Sequence, residues 1–178
     1  MTAGSLLLFA VVLTCLYTDL TARKIYNTVV VAGMLGAVVL NIIRLGFFEG
    51  VLFTSTGIVA GLALLIVPFI CGVLGAGDVK MLGMIGAFTG PELAVQVLLA
   101  SALAGGIYAI VLLLIGKRPL SRLKKTLTGL FFFAATRSPL YLETLEDKKS
   151  TADAIPYGAA LAAGVLTVYF LGLRLPGF

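Results

Sequence analysis

Apolar residues in this chain come in long uninterrupted runs separated by short polar stretches, not in the one-sided stripe of period 3.6 that marks an amphipathic helix in water. Measured against a hydrocarbon core of about 30 Å, the runs that qualify as spans are Ala3–Tyr17, Thr28–Ile43, Val51–Leu74, Val79–Thr89, Leu93–Ile115 and Ala154–Leu173. The pattern predicts an all-α fold, a polytopic membrane helix bundle of about six transmembrane helices forming one domain over residues 1–178. The fourth run has only 11 residues, so it crosses only with help from packing neighbours or local thinning of the bilayer. The start Met1-Thr2-Ala3-Gly4 lacks the basic region of a cleaved signal peptide, and positive charge follows the first run instead. A retained helix with its amino end outside is expected.

Composition strengthens the membrane reading. Hydrophobic residues make up 60% and charged residues 12% of the chain, about half the charge that keeps a soluble domain in solution. Many of the 21 glycines lie inside the apolar runs, where a missing side chain lets helices approach closely. The pairs Gly57/Gly61, Gly86/Gly90 and Ala160/Gly164 read as such packing faces.

Charge then orients the helices. With the stretches 18–27, 75–80 and 116–153 on the cytoplasmic side, all of the 13 lysines and arginines except Arg44 and Arg174 fall inside, as the positive-inside rule requires. Omitting the short fourth span would scatter the basic loops over both sides. The net charge of +5 therefore reads as a topology signal, with the lipid bilayer as partner and no nucleic acid expected. The stretch 116–153 begins basic, passes through Leu130-Phe131-Phe132-Phe133 and ends in Glu143, Glu146 and Asp147. It is too polar to span and is expected to lie on the cytoplasmic leaflet as an interfacial segment.

The chain contains no histidine, which removes Ser-His and Cys-His hydrolases and HExxH zinc proteases. Cys15 and Cys71 end apolar stretches without a CxxC pair, so they read as small buried hydrophobes, with no metal site, disulfide framework or cofactor implied. Chemistry must run on carboxylates, lysine, tyrosine or hydroxyls.

Two carboxylates invite attention because of where they stand. An aspartate at the centre of a membrane helix costs about 2.5–3.5 kcal/mol even on the lenient insertion scale, and Asp19 and Asp78 each lie where an apolar run meets the cytoplasmic side. The plain alternative is an interfacial carboxylate paired with Arg23 or Lys80. In Gly75-Ala76-Gly77-Asp78 the glycines permit a tight turn and close backbone approach. Two carboxylates at one site share a proton, so one serves as general base toward water while the other polarises a scissile carbonyl. Ion or proton translocation uses the same residue types. A small proton-coupled transporter or channel therefore stays open at this level, as does a non-catalytic scaffold.

Around these aspartates the chain resembles the type IV prepilin peptidases, membrane aspartyl proteases of the GxGD class. Asp19-Leu20-Thr21-Ala22-Arg23-Lys24-Ile25-Tyr26-Asn27 looks like that family's first motif, an aspartate followed by basic residues and Ile-Pro-Asn. Gly75-Ala76-Gly77-Asp78-Val79-Lys80 looks like its GxGD motif, and Ala154-Ile155-Pro156-Tyr157-Gly158 like the Ile-Pro-Tyr/Phe-Gly that opens the last span. Tyr26 departs from the pattern by standing where the family usually has proline. The chain also lacks the CxxC-bearing cytoplasmic region of the longer, N-methylating members, so it looks like the short form associated with tight-adherence (Flp-type) pili. The resemblance implies Asp19 and Asp78 as the catalytic pair, with Gly75, Gly77, Lys80, Arg23, Lys24, Asn27 and Pro156 in support. It implies a prepilin or pseudopilin substrate whose short cationic leader is removed at the cytoplasmic face of a bacterial inner membrane.

Overall fold

In the computed structural model the described residues are 3–70, 74–115 and 157–170. Five helices account for nearly all of them: α1 (Ala3–Ala22), α2 (Asn27–Leu45), α3 (Phe47–Ile70), α4 (Ala76–Ile115) and α5 (Tyr157–Phe170). Cys71, the stretch 116–153 expected to be interfacial, and Pro156 lie outside the described residues. The chain divides into two compact units, Met1–Gly105 with Pro156–Phe178, and Gly106–Ile155; the described part of the second is the last turns of α4. Four helices, α1 to α4, have the length and apolarity to cross a membrane, and α5 is shorter. The protein is an all-α, polytopic membrane helix bundle.

Its surface is that of a chain solvated by lipid. Ile43 is 76%, Phe48 85% and Phe170 81% exposed, areas of hydrocarbon that would be unfavourable in water. Exposed hydroxyls turn back onto their own helices. Thr14 donates to Ala10 O at 2.8 Å, Thr56 to Leu52 O at 2.9 Å and Thr167 to Ala163 O at 2.8 Å, because a hydroxyl facing lipid has no water to bond.

α4 is made of two helical limbs. Gly90 (φ 81°, ψ 175°) leaves the helical path and Pro91 starts it again, proline suiting the first turn of a helix because its missing N–H has no partner there. A Cβ built on Gly86 would lie 3.5 Å from that of Ala94, whereas eight residues of straight helix would separate them by about 12 Å. The chain doubles back at Gly90. Past its first turn the first limb, 76–89, is enclosed by protein: every residue from Met81 to Gly90 is buried, with Met81, Leu82, Met84 and Ile85 at 0% exposure. Enclosure explains how the short fourth run is accommodated: along this stretch its neighbours are side chains and not lipid.

The small-residue pairs make that enclosure possible. A Cβ on Gly57 of α3 would collide with the backbone oxygen of Gly86. One on Gly61 would come 2.5 Å from Leu82 O, and one on Gly164 of α5 would meet Ser101 Oγ and, at 2.6 Å, Val97 O. At the end of α2 remote from its start, buried Asn41 donates to Thr54 Oγ1 at 2.9 Å and to Ala87 O at 3.0 Å, tying α2, α3 and α4 with one amide. Thr54 passes its own proton to Gly50 O at 2.8 Å, so the cluster is satisfied from within.

Helix ends differ from the hydropathy-based expectation. α1 continues to Ala22 instead of stopping at Tyr17, and α4 begins at Ala76 instead of Val79, so Asp19 and Asp78 stand on helices and not in connecting loops. Hydropathy marks where transfer to lipid stops being favourable, while a helix continues as long as its polar side chains are satisfied. Thr18 and Thr21 are, by bonds to Cys15 O at 3.0 Å and Tyr17 O at 2.7 Å. The gap 44–50 between the second and third apolar runs likewise shrinks to a turn at Gly46, whose φ of 90° is a left-handed conformation that glycine adopts freely.

Candidate active site

Asp19 enters the site from the last turn of α1, one turn above buried Cys15. Asp78 enters from the first turn of α4. Its Oδ2 accepts a hydrogen bond from the Gly75 backbone N–H at 3.3 Å, while its own N–H donates to Gly75 O at 3.2 Å. This reciprocal turn fixes the carboxylate at the helix start, where exposed N–H groups favour negative charge.

Both line one pocket of about 380 Å³, together with Arg23, Lys24, Ile25, Tyr26, Asn27, Gly75 and Gly77. Lys80 stands beside it, its Nζ donating to Asn27 Oδ1 at 3.0 Å. Of the residues singled out in sequence, all but Pro156, which lies outside the described part, are thus gathered around a single opening.

The connection between α1 and α2 forms one wall. α1 closes with Arg23 in the left-handed region (φ 50°), its N–H returning to Asp19 O at 2.9 Å. The chain then carries Ile25 against α4. A Cβ on Gly77 would lie 3.1 Å from Ile25 Cβ, so glycine there lets the start of α4 reach that wall. Tyr26 precedes α2 with φ −74° and ψ 127°, within the range a proline ring imposes on φ. The departure at this position preserves the backbone conformation that proline would supply.

α5 backs Asp19 through residues that do not themselves line the pocket. A Cβ on Gly158 would come 2.5 Å from Asp19 Oδ2 and 3.1 Å from its Cγ, so the carboxylate rests against bare backbone at the start of α5. Tyr157, half-buried, is the first residue of α5. Asp19 Oδ2 is buried, and the polar group set against it is the backbone at Gly158. A carboxylate oxygen has lone pairs for more than one donor, and a water or a substrate group in the pocket would take another. The signal available in sequence was the Pro-Tyr-Gly opening the last apolar run: a glycine and a tyrosine at the same membrane edge as the aspartates.

The arrangement sets two acids on the lining of one pocket, with the cationic side chains of Arg23 and Lys24 lining it too. No curated protein and no solved structure matched the chain. The model of the type IV leader peptidase family matches residues 6–110, more than half of the chain, a span holding α1 from its second turn, α2, α3, most of α4 and both aspartates. The chain therefore belongs to the type IV leader peptidase family.

Proposed function

We propose that Asp19 and Asp78 are the catalytic pair of an aspartyl endopeptidase that removes the short cationic leader from prepilins or pseudopilins at the cytoplasmic face of a bacterial inner membrane. The observation that carries this reading is the convergence of the two acids, 59 positions apart in sequence (78 − 19), on one pocket. In the reaction, the ionised member of the pair takes a proton from water as its oxygen attacks the scissile carbonyl carbon. The protonated member meanwhile donates to the carbonyl oxygen. Collapse of the tetrahedral species returns a proton to the leaving amine and restores the shared-proton state.

The surroundings suit such a substrate. Leu20 and Tyr17, 57% and 69% exposed beside Asp19, offer an apolar helix a lipid-side surface from which its end reaches the pocket. Charge distribution favours the cytoplasmic side for this end of the bundle, since Arg23, Lys24 and Lys80 cluster there. A transporter would use the same carboxylates, but directly beyond Asp78 the interior is packed with Met81, Leu82, Ile85 and Phe88. That packing suits a site open on one side better than a path through the bundle. Co-expression with a pilin precursor tests the proposal: Asp19→Asn and Asp78→Asn should each leave the leader attached. Full leader removal by either variant overturns it.

A further inference from the structure

An aspartate pair has a deficit that its neighbours must make good. Two carboxylates sharing one proton hold a single donor between them, whereas an extended peptide brings a backbone carbonyl at every residue, and those near the cut need donors to be held in place. Arg23 and Lys24 reach the pocket on long, exposed stems, which deliver charge better than geometry. Asn27 differs. It is the first residue of α2, its side chain is short, and Lys80 Nζ holds its Oδ1 at 3.0 Å. A lysine ammonium has only donors, so the carboxamide must present its oxygen to Lys80. Its Nδ2, on the opposite side of the amide, then keeps both N–H bonds without an acceptor among the described residues, in the wall of the pocket that holds both acids.

We propose that Asn27 Nδ2, oriented by Lys80, is a substrate-binding donor that hydrogen-bonds a backbone carbonyl of the peptide next to the scissile bond. The proposal rests on the peptidase reading above and adds to it a second polar anchor, together with a task for the lysine that follows the GxGD sequence. Lys80 is a positioning residue in this scheme: it sets which way the amide faces.

Two variants separate this role from that of a mere strut between α2 and α4. Asn27→Asp keeps the shape and the acceptor for Lys80 but removes both N–H donors; Lys80→Met keeps the donors and releases the amide. The probe is a synthetic peptide with a lysine-rich leader joined to an apolar helical segment, cut by the purified protein in lipid nanodiscs. Asn27→Asp should raise KM about three- to tenfold with little change in kcat, the effect of one lost hydrogen bond, and leave the melting temperature unchanged. The added carboxylate would by itself draw a cationic leader in, so charge alone predicts a fall in KM. Lys80→Met should give a smaller rise. A wild-type KM for Asn27→Asp, with Lys80→Met the more damaging change, overturns the donor role in favour of a strut. Failure of the unaltered protein to cut any such peptide overturns the peptidase reading and this anchor with it, and so is distinguishable from failure of the anchor alone.

Discussion

Asp19 owes its setting to a residue that has no side chain. Because the nearest approach of α5 is through Gly158, any Cβ there would occupy space within 2.5 Å of Asp19 Oδ2, and the carboxylate would have to move out of the pocket or α5 out of the bundle. Gly158→Ala is therefore expected to lower the initial rate of leader cleavage at least tenfold, since misplacing a reacting group by about 1 Å costs on the order of 100-fold. Melting in detergent should change by no more than the 1–3 kcal/mol typical of overpacking, about that range being the general experience. A Gly158→Ala protein that cuts at the normal rate would place α5 outside the working site. At this scale the sequence was partly legible. The two aspartates stood out because a carboxylate beside an apolar run is expensive. Gly158 did not, because a glycine among 21 carries no mark of what it faces. Tyr157 and Gly158 were visible only as part of the motif opening the last run, and the left-handed Arg23 had no signal at all.

Among the helices, the decisive feature is the enclosed limb of α4 and the backbone contacts that surround it. Gly57 and Gly86 meet with so little room that a Cβ on either would strike the backbone oxygen of the other; neither backbone can yield without separating α3 from α4. Gly57→Val should destabilise the bundle by about 2 kcal/mol or more, seen as a fall in melting temperature or as loss of folded protein from membranes. Unchanged melting would mean that α3 and α4 are not in contact at this point. Hydropathy located the apolar runs and the gap at 90–92 between the fourth and fifth of them but misjudged the helix ends, for a physical reason. It measures a preference for lipid, and Thr18, Asp19 and Thr21 continue α1 beyond the point where that preference fails. The error mattered, because it put both acids in loops when each is held at a helix end with a defined direction.

For the molecule as a whole, the acids, Asn27, Lys80 and the glycines just before Asp78 gather at the end where Arg23 and Lys24 lie, the end that the positive-inside rule predicts to face the cytoplasm. The fold class was legible from uninterrupted apolar runs. The pairing of Asp19 with Asp78 was not, since nothing in hydropathy says which helix neighbours which; only the resemblance of the flanking motifs suggested it. That pairing is the central claim, and cross-linking measures it directly. In a protein with Cys15 and Cys71 replaced by alanine, Asp19→Cys and Asp78→Cys are treated in native membranes with a short bifunctional thiol reagent, and linked peptides are sought by mass spectrometry. The account predicts efficient linkage of positions 19 and 78 within one chain, and none between 19 and a cysteine placed at Asn41 at the far end of α2. Linkage to position 41 but not to position 78 would contradict it.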